Sequence, residues 1–143
     1  MDTSLKKALE RIQANAPEVR SAATELTQQI KMFETWLGKV PGRVPVSLLL
    51  WTDEQGNEEY LAFRRHPKDW ALVTFSSHVQ SFDTSTPQLL RDAAIDTKAN
   101  MMKHLPRLLE AMAKEQEAVA KRAREAAGDF KAFAQEIGIK EEA

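Results

Sequence analysis

The chain has 143 residues, with 20 Lys+Arg against 21 Asp+Glu and a formal net charge of -1. That length suits one domain whose core needs no disulfide or metal staple. The chain has no cysteine, which excludes thiolate chemistry, Cys-ligated zinc, iron–sulfur clusters and disulfides together. The charge balance offers no global field for nucleic acid or an anionic membrane. It also holds locally: residues 1–40 carry six basic and five acidic groups, 87–143 carry ten of each, and only 41–86 lean acidic, four against six.

The first block, residues 4–40, reads as helix. Apolar residues recur at Leu5, Leu9, Ile12, Ala16, Val19, Ala23, Leu26, Ile30, Phe33, Leu37 and Val40, with spacings that alternate four and three. This is a heptad seam without a polar interruption. Pro17 either kinks it or begins a second segment, and Gly38, Pro41 and Gly42 end it. The N-terminus opens an amphipathic helix rather than a signal peptide. The longest apolar run, Leu48 to Trp51, is far too short to span a bilayer. The expected location is the cytoplasm.

Residues 44–76 read as a three-stranded antiparallel meander, Val44–Thr52, Tyr60–Arg65 and Trp70–Phe75. Asp53-Glu54-Gln55-Gly56-Asn57 forms the first turn, with Gly56 available for positive φ. His66-Pro67-Lys68-Asp69 forms the second, with Pro67 where a type I turn favours it. The first strand is apolar on both faces, Val44, Val46, Leu48 and Leu50 on one, Leu49 and Trp51 on the other. An antiparallel sheet normally keeps one wet face, so something is expected to cover the side of Trp51: a helix of this chain, a second copy or a partner. His78 to Thr84 carries no pattern that assigns it.

Residues 86–138 read as the second helical block. Ser85-Thr86-Pro87-Gln88 has capping-box spacing and a proline in the first turn. The seam runs Met102, Leu105, Leu109, Met112, Gln116, Val119, Ala123, Ala126, Phe130, Phe133, Ile137, polar only at Gln116. Pro106 is expected to kink it, and Gly128-Asp129 to end one helix and cap another. Read in opposite directions, the two seams match where residue numbers sum to 142: Leu5 meets Ile137, Leu9 meets Phe133, Ala16 meets Ala126, and Leu26 meets Gln116. The expected fold is therefore α+β in a single domain, 1–143. Its long terminal helical blocks pack antiparallel, and a stalk of roughly 5–23 against 116–137 projects from a head that holds the meander.

Candidate chemistry is sparse. The three histidines, His66, His78 and His104, lack metal-ligand spacing, so no metal and no cofactor is expected. Ser76, Ser77, His78 and Asp83 share residue types with a hydrolase triad, but no Gly-x-Ser-x-Gly elbow accompanies them. There is no phosphate-binding glycine loop either, so no enzymatic activity is expected. Arg64, Arg65 and Lys68 cluster with His66 at one turn, where they could meet a phosphate or an acidic partner. The expected function is a non-enzymatic protein-interaction module of adaptor, chaperone or inhibitor type. It would use a helical arm and an apolar sheet face, with Trp51 and Arg65 as interface anchors and another protein or a second copy of itself as partner. The alternative is a nucleic-acid-associated regulator using Arg64, Arg65 and Lys68, disfavoured by the acidic lean of residues 41–86.

Overall fold

The computed structural model describes residues 2–78 and 83–140. The protein is α+β. Helix α1 (Thr3–Leu37) leads into strands β1 (Val46–Thr52), β2 (Asn57–Arg65) and β3 (Trp70–His78), which form the expected antiparallel meander. Two short segments, β4 (Asp83–Thr84) and β5 (Gln88–Leu89), add to the outer edge of β3. A 3-10 turn at Leu90–Asp92, helix α2 (Ile95–Met102) and helix α3 (Leu105–Ile137) complete the chain.

Local chemistry explains most boundaries. The Asp2 carboxylate accepts from the Ser4 N–H at 3.3 Å and caps α1. Asp53 accepts from the backbone N–H of Gln55 and Asn57 and from Asn57 Nδ2, which closes the β1–β2 turn with Gly56 at φ 85°. The His66–Pro67 peptide is cis, and the His66 N–H donates to Asp69 O at 2.7 Å, which ties the two ends of the second turn. Pro106 lies in the first turn of α3, where no intrahelical donor is lost, and the helical block breaks just before it. Helix α3 then runs unbroken through Gly128, against the expected stop there. It ends at Gly138, left-handed at φ 81°, where Ile139 N–H bonds Ala134 O at 2.9 Å, a glycine-terminated helix end.

The expected helix start at Ser85–Gln88 is overturned. These residues finish the sheet instead. β3 has an outer edge whose donors and acceptors need partners. Ser85 supplies two of them: its Oγ accepts from Ser76 N–H at 2.7 Å and its own N–H donates to Ser76 O at 2.8 Å. β5 then pairs Leu89 with Val73 and Gln88 with Thr74. One edge donor further along, Leu72 N–H, is met by the Glu34 carboxylate of α1 at 2.8 Å.

All helices lie on one face of the sheet. Val46, Leu61, Phe63 and Leu72 of that face form a core with Ile30 and Leu37 of α1, Leu90, Ala93 and Met101 of the connecting segment, and Leu105, Leu108 and Met112 of α3. Burying Phe63 or Leu72 in full contributes about 1.5–3 kcal/mol each. Helix α1 rests on α2, the 3-10 turn and β3, whereas α3 rests on β1. Lys98 of α2 is only 7% exposed, and its ammonium donates to Thr27 Oγ1 at 2.7 Å, joining α2 to α1.

The expected antiparallel pairing of the two long helices within one chain does not occur. Leu5, Leu9, Ile12 and Val19 of α1 are exposed, as are Phe130, Phe133 and Ile137 of α3. Gln116, expected opposite Leu26, instead donates to Pro41 O and Gly42 O at 3.3 and 3.0 Å, beyond the C-terminal end of α1. The head itself separates the helices: α1 is held at β3 and α3 at β1, on opposite sides of the sheet's helical face.

Glu34 gives the fold a pH dependence. It is 7% exposed. Burial pushes its carboxyl above the ordinary value of 4.5, against the opposing pull of Leu72 N–H and then of Arg91 and Lys31. The folded protein thus keeps this proton where the unfolded chain has lost it. Its stabilising effect is full below pH 4.5 and is lost as pH rises through the raised value. Glu34→Gln, which keeps an acceptor for Leu72, should flatten that decline in urea titrations run at a series of pH values. Glu34→Leu leaves a buried donor unpaired and should lower stability by about 1–3 kcal/mol. An unchanged pH profile in Glu34→Gln would assign the dependence to another group.

Candidate interaction surfaces

Two arms and one end of the head are the surfaces with functional potential. The first arm is α1 from Thr3 to about Ala23, the second α3 beyond Val119, and almost every side chain on both is exposed. Leu9 is 46% exposed and Phe133 53%. Apolar side chains at heptad spacing are ordinarily covered by a neighbouring element. No other described element of the chain covers them. The total accessible surface is 10587 Å², against roughly 7,400 Å² for a compact monomer of 16.1 kDa. The arms, exposed along nearly their whole length, contribute to that surplus.

Pro17 sharpens this point. It sits inside the continuous α1, where it removes a backbone hydrogen bond and costs about 3 kcal/mol. The stretch of helix before it, residues 3–16, is of the length at which an isolated helix is marginal in water. An arm that stays helical across Pro17 needs packing along its stripe. The second arm carries an open groove of about 700 Å³ lined by Ala127, Phe130, Lys131, Ala134 and Ile139. Polar pairing there is superficial: Arg122 meets Glu115 at 3.0 Å on the exposed side, worth about 0–1 kcal/mol.

The head disperses the residues that sequence groups together. Arg64 and Arg65 are neighbours in β2 and so point to opposite faces. Arg65 falls in register with Trp70 on the helix side and lies 5.8 Å from the centre of its ring, with Arg43 at 5.3 Å. Trp70 itself stacks on Phe63 of the core. Arg64 reaches along the outer face to Phe75, 5.2 Å from its ring, and Phe75 stacks on Tyr60. The row between Arg64 and Phe75 is Ala62 with Val73, both fully buried. The Arg64 side chain therefore spans that row and shields it, as long cationic side chains do. Lys68 lies exposed in the turn.

Trp51 is displaced from its expected face. β1 has an irregularity between Leu49 and Trp51: Leu49 pairs with Tyr60, but Trp51 pairs with Glu59. The extra residue, Leu50, resets the alternation. By register Trp51 shares the face of Leu61 and Phe63, at its far end, and is 47% exposed. Tyr60, Phe75 and Arg64 therefore lie together on the outer face, where Leu49 of β1 stays 41% exposed, and Trp51 is not part of that face.

The residue that sequence analysis missed is Glu34. It lies beside the seam residue Phe33 on the side buried with Ile30 and Leu37, so its only signal was an acid adjoining the apolar stripe. It borders a cleft of about 260 Å³ with Lys31, Thr35, Trp70 and Arg91. Glu34 Oε1 and Trp70 Nε1 are buried there without a hydrogen-bond partner among the described residues. The cleft is smaller than the roughly 300–1,000 Å³ usual for ligand sites. His78 Nδ1 lies 3.0 Å from Asn57 Oδ1 across the β2–β3 pair, and the side chain of Asp83 falls outside the described set. Among the described residues no group of three or more His, Asp or Glu could hold a metal ion, and no helix is long and apolar enough to cross a membrane.

These placements give Arg64 a structural role that the exposed Lys68 lacks. Arg64→Ala uncovers Ala62 and Val73 and should lower the urea midpoint by an amount equal to about 0.5–1 kcal/mol. Lys68→Ala should leave it within ~0.5 kcal/mol of the parent. Equal effects from the two would refute the shielding role of Arg64.

Comparison with protein-family models, with curated proteins and with solved structures finds no match to this chain.

Proposed function

We propose that the protein is a non-enzymatic protein-interaction module whose two helical arms are its binding elements and whose head holds them apart. The observation that carries this reading is the pair of exposed heptad stripes, Leu5 to Val19 and Phe130 to Ile137. Large apolar side chains exposed in series along one helical stripe are the kind of surface that marks a contact site. An amphipathic helix offers it in the form that partner helices and hydrophobic grooves recognise. Such a role needs no catalytic constellation, and the buried charges of the head have structural work: Glu34 closes a strand edge and Lys98 joins two helices. The proposed setting is the cytoplasm.

This reading moves the binding surface away from the sheet. Arg65 supports the Trp70 end of the core and Arg64 shields the outer face, so neither is offered as an anchor. Trp51 is a secondary candidate because nearly half of it is exposed.

The test is affinity capture from extracts of the producing cells, with the wild-type chain and a Leu9→Glu/Phe133→Glu variant compared side by side. Placing a carboxylate in each stripe should weaken every association by roughly thirty-fold or more, as loss of a central apolar anchor does. Near-ultraviolet circular dichroism of the head should not change, because both positions lie outside the core. A variant that captures the same proteins as the wild type would move the binding surface off the arms.

A further inference from the structure

The arms are unpartnered within the chain, yet they complement each other. From this we infer that each α1 arm packs antiparallel on the α3 arm of a second copy, so that two chains form a two-fold dimer with both arm pairs made at once. This rests on the proposed docking role of the arms and names their occupant.

Three observations support it. The first is layer matching. With residue numbers summing to 142, the arms give six apolar layers: Leu5 on Ile137, Leu9 on Phe133, Ile12 on Phe130, Ala16 on Ala126, Val19 on Ala123 and Ala23 on Val119. The small-on-small layer and the large pairs toward the tips form a graded seam of the kind that knobs-into-holes packing accepts.

The second is the flanks. Lys6, Gln13 and Arg20 border one side of the α1 stripe; flank positions are offset from the layers, so partner numbers sum to 140 on this side and 144 on the other, and these three meet alanines of the second copy's α3 arm, at positions 134, 127 and 120. On the other side the small residues are on α1: Ala8 and Ala22 come opposite acidic position 136 and basic position 122. Between them Asn15 comes opposite the aspartate at 129. Both are short, and an asparagine amide can donate to a carboxylate. No two long side chains compete for one flank position, so the helices can approach closely along the whole seam.

The third is geometry and area. Gln116, at the root of the second arm, sits beside Pro41 and Gly42, past the C-terminal end of α1. The first arm leaves from the other end of α1. Arms rooted apart cannot fold onto each other in one chain, but a two-fold axis brings the first arm of each copy to the second arm of the other. The contact is then isologous and closes on itself. The surface available is sufficient: two chains together expose about 6,000 Å² beyond two compact monomers, more than the roughly 2,000–5,000 Å² that obligate dimers bury in total.

The cysteine-free chain allows a clean test by disulfide trapping. Full-length Ala16→Cys and Ala126→Cys chains, carrying different tags, are mixed, equilibrated and oxidised. Leu9→Cys with Phe133→Cys repeats the test at a second layer in case cysteine disturbs the small one. Mixed disulfides should dominate over like-with-like products at both layers, and wild-type chain should sediment at twice 16.1 kDa. Dominant like-with-like products would overturn the inference in favour of α1–α1 or α3–α3 pairing. A monomeric mass up to high micromolar concentration would overturn it as well. In either case the docking role itself survives only if Leu9→Glu/Phe133→Glu still abolishes capture, so the two failures are told apart. If a different protein occupies the arms, the chain stays monomeric alone and the mixed disulfides do not form.

Discussion

The outer edge of β3 is the constraint on which the head depends. A meander of three strands leaves that edge with backbone groups that must be paired or solvated, and here it is buried beneath the connection to α2. Three separate pieces of chain close it. Ser85 brackets Ser76, β5 pairs with Val73 and Thr74, and the Glu34 carboxylate takes the Leu72 N–H. The last of these sets the position of α1, because a helix that delivers a carboxylate to a strand edge has little freedom to slide or rotate. With α1 held at β3, α3 takes the remaining apolar surface at β1. The separation of the arms follows from this.

Using an acid for that purpose has a cost. The Glu34 carboxyl loses hydration, and one of its oxygens is left without a partner among the described residues. A buried group of this kind costs more when charged than when protonated. The flanking Lys31 and Arg91 offset part of this penalty. The same compromise recurs at Lys98, where burial of an ammonium is offset by a short hydrogen bond to Thr27 and, through it, to Ala23 O. The head is thus fastened by polar contacts at its seams and by aliphatic packing at its centre.

The arms follow another logic. A helix gains little from its own backbone bonds beyond what water offers, so its persistence depends on a buried stripe. In the head that stripe is satisfied: Ile30, Leu37, Leu108 and Met112 are all buried. Beyond Ala23 in one direction and Val119 in the other the stripe continues, but no other described part of this chain meets it. The sheet shows the contrasting case. No described helix covers its outer face, yet the middle of that face is shielded by side chains of its own, with Arg64 laid over the Ala62–Val73 row and Tyr60 stacked on Phe75. A flat face can be closed by long side chains lying across it, whereas a narrow helical stripe needs a second helix or a groove.

Periodicity by itself determined the elements. The alternating four-and-three spacing marked both long helices, the β-formers marked the meander, and Gly56 marked a turn, because each of these signals is local to the residues that carry it; at Pro106 a kink was expected and the block breaks instead. It also exposed the heptad stripes from which the docking reading comes. It misplaced Ser85–Gln88, because capping-box residues serve a strand edge equally well once such an edge is near. It put Trp51 on the wrong face, because a single bulge reverses parity without altering the hydrophobic pattern. It passed over Glu34, whose role exists only where Leu72 presents an unpaired N–H. Partner choice between the two stripes was likewise beyond it: matching seams describe which surfaces are compatible, and only the positions at which the head roots the helices decide whether those surfaces can meet within one chain.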